Sequence, residues 1–145
     1  MAENHEKKKI LFICTHNSAR SQMAEGILKK LYGNRYEVYS AGTQPSSVNP
    51  LAIKVMKEIG IDISTQHSKN VGEFLERKFD YVVTVCDRAK EGCPFFPGAK
   101  HSIHKGFQDP SAVRGTEQEK LIVFRKVRDE IRNWIEESLK KGGPA

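Results

Sequence analysis

The spacing of the hydrophobic residues changes several times along this chain, and each spacing predicts a different element. Short runs rich in apolar and β-branched residues predict buried strands. Longer stretches with apolar residues three or four positions apart predict amphipathic helices. The predicted strands cover residues 8–14, 36–40, 79–85 and 100–107, the last being the weakest pattern. The predicted helices cover residues 21–32, 50–60, 71–78 and 116–140.

Helices that alternate with strands predict a parallel sheet covered on both faces. We therefore expect an α/β fold with three layers, in which a four-stranded parallel sheet is flanked by helices. Residues 1–145 are expected to form a single domain, because there is no repeat, linker or change in composition. The last helix is expected to bury Leu121, Phe124, Val127, Ile131, either Trp134 or Ile135, and Leu139.

The composition limits the classes of function. The 145 residues include 24 Lys and Arg against 18 Asp and Glu, a net charge of +6. This charge suits an anionic ligand, whereas a nucleic-acid partner is not expected, because basic and acidic residues alternate and no nucleic-acid-binding motif is present. Residues 1–7 are too polar for a signal peptide, and no apolar run could span a membrane. Three cysteines without a secretory signal predict a cytoplasmic protein with reactive thiols.

Residues 14–21, which we call the anion loop, carry the strongest chemical signal. Cys14 ends the first predicted strand, and Arg20 and Ser21 stand where the next helix begins. Backbone N–H groups at a helix start favour an anion, and a guanidinium matches a tetrahedral oxyanion with two hydrogen bonds. The same positive field should stabilise a thiolate on Cys14. A buried, inert cysteine and a surface arginine would be the simpler interpretation, but the strand–loop–helix context favours nucleophilic attack on an oxyanion.

Two further cysteines follow the third predicted strand. Cys86 and Cys93 are too far apart for a Cys-x-x-Cys turn, yet a disulfide is possible if the segment between them bends. A zinc site with His101 or His104 would need other ligands and a different spacing. A pair of buried, inert cysteines is disfavoured by the charged residues around Cys93, so thiol–disulfide exchange is the favoured interpretation.

Asp109 precedes Pro110 just past the last predicted strand. An Asp-Pro pair is a common turn opener, but ligands of open parallel sheets bind at the carboxyl ends of the strands. Asp109 is therefore a candidate general acid that could protonate an oxygen leaving an oxyanion.

These residues together resemble the thioredoxin-coupled arsenate reductases, which have the fold of the low-molecular-weight tyrosine phosphatases. The resemblance covers nearly the whole chain. It rests on residues 14–26, 39–42, 48–50, 61–64, 82–86, 93–94, 106–110 and 125–131.

The resemblance implies a mechanism for reducing arsenate to arsenite. Cys14 would attack arsenate held by the anion loop while Asp109 protonates the departing hydroxyl. A relay would follow, first Cys14–Cys86 and then Cys86–Cys93, and thioredoxin would reduce the last disulfide. Phosphate and sulfate would compete for the site, and no cofactor or metal is implied. The expected substrate-binding residues are Thr15, His16, Asn17, Ser18, Ala19, Arg20 and Ser21.

Some positions depart from the pattern of these enzymes. His16 replaces a frequent glycine and Ala19 a frequent cysteine. Some relatives bind potassium near the loop, and here Asn17, Glu25 and Ser40 match that site. His67 and Lys69 replace oxygen ligands, so an ammonium group is expected in place of the cation and no potassium requirement is expected.

Two other functions remain as alternatives. A low-molecular-weight protein tyrosine phosphatase would share the anion loop and Asp109, but it typically has tyrosines after Asp-Pro, where residues 111–113 read Ser-Ala-Val here. An anion-binding or redox-sensing protein without catalysis would have no use for an acid at Asp109. A monomer is expected.

Overall fold

The computed structural model of the chain describes residues 7–87 and 96–140. Its centre is a four-stranded sheet formed by β1 (Lys8–Cys14), β2 (Tyr36–Gly42), β3 (Phe79–Thr84) and β4 (Ala99–His104). The spatial order is β2-β1-β3-β4, and every neighbouring pair is parallel. The predicted α/β class and the four-stranded parallel sheet are confirmed.

The central strand β1 is buried on both faces, which explains its continuous apolar run. Ile10 and Phe12 belong to one hydrophobic cluster, whereas Leu11 and Ile13 belong to another on the opposite face. This alternation follows from the two-residue period of a strand. Fully burying a side chain of this size contributes roughly 1.5–3 kcal/mol.

The larger cluster lies under the three α-helices of the described residues, α1 (Arg20–Tyr32), α2 (Pro50–Lys57) and α3 (Glu117–Ser138). The side chain of Asn49 caps α2 by accepting from the N–H of Leu51 at 2.8 Å, and Pro50 takes the first helical position. Of the two alternatives predicted for α3, Ile135 is the buried residue, while Trp134 is only partly buried. No helix among residues 7–87 and 96–140 combines the length and apolar character that crossing a membrane requires.

Glu58 joins the end of α2 to α3. Its carboxylate accepts from Nε of Arg125 at 3.0 Å and from Nη1 of Arg128 at 2.8 Å. The hydrogen bonds from Arg125 are the main reason that the pKa of Glu58 is lowered to about 2. The same nitrogen of Arg128 also donates to the Val55 carbonyl at 2.8 Å, which gives a hydrogen-bond partner to a carbonyl in the last turn of α2.

The opposite face of the sheet is covered by the smaller cluster. In the described part of the chain this layer contains a 3₁₀ turn, Val71–Phe74, and the aromatic rings of Phe74, Phe79 and Phe96. The predicted helix over 71–78 is therefore wrong in length and type. Phe74 is the buried residue of this turn, while Leu75 is 47% exposed, so no apolar stripe supports a longer helix.

The predicted last strand is too long by three residues. β4 ends at His104 because its partner β3 ends at Thr84. The next residues still donate to the β3 end, from Lys105 N–H to the Thr84 carbonyl at 2.9 Å and from Phe107 N–H to that of Val85 at 3.1 Å. This extension carries the chain along the carboxyl edge of the sheet to Asp109.

Candidate active site

The anion loop connects the end of β1 to the start of α1, as predicted. Asn17 adopts a left-handed backbone conformation with φ of 49°, which reverses the chain inside the loop. Asparagine tolerates this conformation better than most residues. Gly42, at the end of β2, lets the loop approach closely, because a Cβ there would lie 2.5 Å from the Thr15 carbonyl oxygen and 2.8 Å from the Asn17 nitrogen. The loop geometry therefore depends on a neighbouring strand as well as on its own residues.

A buried hydrogen-bond network surrounds the candidate nucleophile. The Cys14 sulfur lies 2.9 Å from the Ser21 hydroxyl oxygen. Nδ2 of Asn17 donates to that same oxygen at 2.7 Å and to the Ser40 hydroxyl at 3.0 Å. All four side chains are almost completely buried. Because Asn17 fills one acceptor site of the Ser21 hydroxyl, the proton of that hydroxyl can point at the sulfur.

Arg20 is 3% exposed, which is unusual for an arginine and indicates a fixed guanidinium. Nη1 donates to the Phe107 carbonyl at 3.3 Å, and Nη2 lies 3.6 Å from Oδ2 of Asp109. The residue before it, Ala19, has no side-chain oxygen to cap the first turn of α1. That arrangement suits an anion at the helix start.

Asp109 is brought to the anion loop, as predicted from its place after the last strand. Its Oδ1 accepts from the Ser111 N–H at 3.0 Å and from the Ser111 hydroxyl at 2.6 Å. Its Oδ2 faces Arg20, so the carboxyl group links the anion loop to residues 105–109, which follow β4.

Two cavities meet at Asp109. The smaller, about 10 Å³, is lined by Cys14, His16, Ser18, Ala19, Arg20, Asp109 and Ser111. The larger, about 810 Å³, opens beside it and is lined by Asp87, His104, Gly106, Phe107, Gln108, Asp109, Ala112 and Val113. The smaller volume corresponds to about one water molecule, and the Asp109 carboxylate lies beside the guanidinium that an oxyanion would use.

The two described cysteines are in different redox states. Cys14 is a free, buried thiol, whereas Cys86 is disulfide-bonded. Cys86 lies two residues beyond β3, at the same sheet edge as Cys14, and is completely buried. Cys93 lies outside the described residues. A sulfur in a disulfide cannot serve as a thiolate ligand, so Cys86 is not a zinc ligand in this oxidised state.

The loop over residues 61–70, which we call the flanking loop, donates hydrogen bonds to Asn17 of the anion loop. The Asn17 carbonyl accepts from the Ser68 hydroxyl at 2.7 Å, and Oδ1 of Asn17 accepts from the Lys69 N–H at 2.9 Å. The side-chain amide of Gln22 donates to a carbonyl in each of the two loops. The roles of Gln22, Ser68 and Gly42 were not predicted, because Gln22 lies off the apolar stripe of α1 and its burial comes from tertiary contacts.

The side chain of Lys69 lies at the position where an ammonium group was expected. Nζ donates to the His67 carbonyl at 2.6 Å and lies 3.8 Å from Oε1 of Glu25. That carboxylate also accepts from Ser40 and, at 2.6 Å, from Lys29. Burial is the main cause that lowers the pKa of Lys69, partly offset by Glu25. An ammonium group therefore lies beside the Glu25 carboxylate.

The described residues contain no cluster of side chains suited to binding a metal ion. No group of three or more His, Cys, Asp or Glu residues there could hold a metal ion. His101 stacks on the Tyr81 ring with centroids 5.4 Å apart, and Nδ1 of His104 is 2.8 Å from the Thr84 hydroxyl. His16 is exposed at the mouth of the small cavity.

The sequence matches a known family over residues 9–142, that of the low molecular weight phosphotyrosine protein phosphatases. Among its relatives, an arsenate reductase of Halalkalibacterium halodurans is 54% identical over 125 residues, which are 86% of this chain and 90% of the relative. An arsenate reductase of Bacillus subtilis is 47% identical over 137 residues, 94% of this chain and 99% of the relative.

Solved structures give the same relationship. An arsenate reductase in the reduced state superposes with a TM-score of 0.76 at 35% identity, covering 92% of this chain and 98% of that one. An arsenate reductase in the phosphate-binding state gives 0.72 at 35% identity, with coverages of 90% and 95%. A thioredoxin-dependent arsenate reductase of Corynebacterium glutamicum gives 0.65 at 29% identity, with coverages of 93% and 63%. The chain belongs to the low molecular weight phosphotyrosine protein phosphatase family and, within it, to the arsenate reductases.

Proposed function

We propose that this protein reduces arsenate to arsenite with thioredoxin as the electron donor, and that it serves in arsenic detoxification. The observation that carries the proposal is a free Cys14 in an anion-binding loop with a disulfide-bonded Cys86 at the same sheet edge. A nucleophile alone would suffice for a phosphatase. A second cysteine that passes from thiol to disulfide supplies the two electrons that reduction needs.

The first step uses the anion loop. Arsenate binds between the loop N–H groups and Arg20, displacing the Asp109 carboxylate from the guanidinium. The Cys14 thiolate, stabilised by the Ser21 hydroxyl, attacks arsenic and forms a sulfur–arsenic bond. An oxygen leaves as water after taking a proton from Asp109, which acts as the general acid. Thr15, His16, Asn17, Ser18 and Ala19 shape the binding loop.

The next steps transfer two electrons from thiols to arsenic. The Cys86 thiolate attacks the Cys14 sulfur, the sulfur–arsenic bond breaks with both electrons going to arsenic, and arsenite leaves. The Cys93 thiolate then attacks Cys86, releasing Cys14 as a thiolate and leaving a Cys86–Cys93 disulfide. Thioredoxin reduces that disulfide to two thiols. Free Cys14 beside disulfide-bonded Cys86 is the pairing this last intermediate requires, which supports the proposal.

The phosphatase alternative is not favoured. Ser111 uses its hydroxyl to hold Asp109, and Ala112 and Val113 line the adjoining cavity with small or aliphatic groups. No aromatic side chain stands at these three positions to stack on a phosphotyrosine ring. Phosphate-ester cleavage is expected only as a weak side activity of the same nucleophile.

The decisive experiment measures arsenate-dependent NADPH oxidation with thioredoxin and thioredoxin reductase. The parallel reaction contains glutaredoxin, glutathione and glutathione reductase, and Cys14→Ser is the inactive control. Oxidation that depends on arsenate and thioredoxin supports the proposal. Hydrolysis of aryl phosphates without any arsenate reduction would favour the phosphatase.

The wider setting follows from the same chemistry. We propose that residues 1–145 work as a single-domain monomer in the cytoplasm, where thioredoxin keeps thiols reduced. Phosphate and sulfate act as competing anions, and neither a cofactor, a nucleic acid nor a membrane takes part.

A further inference from the structure

Gln22 connects the anion loop to the flanking loop from inside α1. Its side chain is completely buried at the third position of the helix. Nε2 donates to the Asn17 carbonyl at 3.0 Å and to the His67 carbonyl at 2.9 Å. Oε1 accepts from Nε2 of Gln66 at 2.7 Å. Every hydrogen-bonding group of this amide is therefore used, which a buried amide requires and which fixes its orientation.

The Asn17 carbonyl is held by two donors from two different elements. One is Gln22, and the other is the Ser68 hydroxyl at 2.7 Å. In a planar trans peptide, the carbonyl oxygen of one residue and the N–H of the next point in opposite directions. Holding the Asn17 carbonyl toward α1 and the flanking loop therefore aims the Ser18 N–H the other way. Ser18 lines the small cavity together with Cys14 and Arg20.

We infer that Gln22 and Ser68 are positioning residues that fix the Asn17–Ser18 peptide so that the Ser18 N–H meets the bound oxyanion. The inference rests on the proposed function, since it assumes that the anion loop binds a tetrahedral anion. In this role, the two side chains raise the affinity for the anion without contacting it. Asn17 has the left-handed backbone conformation, which is uncommon for a non-glycine residue even though asparagine tolerates it, so hydrogen bonds to its carbonyl help to hold the loop in this shape.

Sulfate is the suitable probe because it stays a dianion across neutral pH and does not react. Its dissociation constant is measured by calorimetry at constant ionic strength for the wild type, Gln22→Met, Ser68→Ala and the double variant. We expect about a twofold loss of affinity in each single variant, because one donor still holds the carbonyl. The double variant should lose about tenfold or more, since a hydrogen bond to a charged group contributes on that scale.

Backbone ¹⁵N NMR provides a readout that general loss of stability would not change. In the wild type, sulfate should move the Ser18 amide resonance strongly, and this response should disappear in the double variant. Arg125→Gln serves as the matched control, because it destabilises the α2–α3 contact at Glu58 without touching either loop. It should keep both the sulfate affinity and the Ser18 response.

The outcomes separate the two proposals. A wild-type protein that does not bind sulfate or arsenate in the loop would overturn the proposed function. Binding by the wild type together with equal affinity and an equal Ser18 response in the double variant would overturn only the role of Gln22 and Ser68. If the double variant does not fold, the Ser68→Ala variant decides alone: a sulfate affinity and a Ser18 response that both equal those of the wild type would contradict the inference, because Gln22 by itself should preserve only part of the affinity.

Discussion

The Cys14 sulfur and the Ser21 hydroxyl oxygen lie 2.9 Å apart at opposite ends of the anion loop. Asn17 donates to the same hydroxyl at 2.7 Å, so the proton of Ser21 is available for the sulfur. This pair links the start of α1 to the end of β1 through the reacting atom. The stability of the thiolate is thereby coupled to the geometry of the loop that binds the substrate.

Ser21→Ala should weaken this coupling. Without the hydroxyl, the Cys14 thiolate loses one hydrogen bond, and its alkylation by iodoacetamide at pH 7 should slow by about tenfold. Ser111→Ala is a useful comparison, since it lies across the cavity and contacts Asp109 instead. Equal alkylation rates for wild type and Ser21→Ala at pH 7 would contradict the role of Ser21.

Asp109→Asn should separate binding from chemistry. We expect the rate of arsenate reduction to fall by roughly 10²–10⁴-fold, the usual contribution of general acid catalysis. Sulfate binding should persist, because Arg20 keeps its bond to the Phe107 carbonyl and loses a competing carboxylate. Steady-state rates and calorimetry on the same preparation measure both effects. An unchanged rate would mean that another group protonates the leaving oxygen.

The cysteine variants should fail at different steps. In Cys86→Ser, no thiol attacks the Cys14 adduct, so no arsenite should form above background. In Cys93→Ser, the first exchange still occurs, and about one arsenite per enzyme should appear in a burst before turnover stops. Aryl phosphate cleavage should survive in both variants, because it needs only Cys14, Arg20 and Asp109.

Quenched-flow counting of arsenite and mass spectrometry of alkylated peptides distinguish these cases. Cys93→Ser should accumulate a Cys14–Cys86 disulfide after its burst. Sustained turnover of Cys93→Ser with thioredoxin would show that the relay is wrong.

Potassium should leave the wild-type protein unaffected. The ammonium of Lys69, 3.8 Å from Oε1 of Glu25, already provides the positive charge beside the anion loop. We therefore expect equal initial rates and equal Tm values in KCl and NaCl at the same ionic strength. Lys69→Ser should open space beside Glu25 and make both quantities higher in KCl.

Lys29→Met is the control for that experiment. Lys29 pairs with the outer oxygen of the same carboxylate but is 49% exposed, so its loss should create no cation site. A potassium response of the wild type, or of Lys29→Met as large as that of Lys69→Ser, would contradict the assignment.

Acid should remove the contribution of Glu58 to stability. Its pKa is about 2 in the folded protein against 4.5 for the ordinary carboxyl, so the ionised form stabilises the fold above pH 4.5. That contribution is lost as the pH falls from 4.5 toward 2. Glu58→Gln should therefore have a lower Tm than the wild type at pH 7, and the difference should shrink as the pH falls toward 2.

Glu117→Gln is the matched control for Glu58. Glu117 pairs with Lys54 at 3.1 Å, but both side chains are more than half exposed. Exposed pairs contribute little, so its Tm should follow the wild type at every pH. A difference for Glu58→Gln that stays constant from pH 7 to pH 2 would exclude the ionised carboxylate as the cause.

The sequence alone determined the architecture and the positions of the reacting groups. The apolar run of β1 and the alternation of helices with strands required a parallel sheet, and a parallel sheet places all carboxyl ends at one edge. That rule places Cys14, Cys86 and Asp109 at one edge of the sheet from the sequence alone. The residues of the resemblance then identified the chemistry.

The hydrophobic pattern predicted the ends of elements less reliably where a helix lacked a long apolar stripe or where a strand extended beyond its neighbour in the sheet. The helix over 71–78 became a single 3₁₀ turn because Phe74 is its only buried side chain. The last strand stopped at His104 because β3 had already ended. Both errors concern how far an element extends, which depends on its neighbours in space.

Only the tertiary structure decided which side chains support the anion loop. Gln22 and Ser68 are 46 residues apart in sequence, yet both donate to the Asn17 carbonyl. Gly42 is required by a contact with the loop backbone that no spacing reveals. A hydrophobic pattern records which side of an element is buried, whereas directional hydrogen bonds between distant segments depend on the exact packing of those segments.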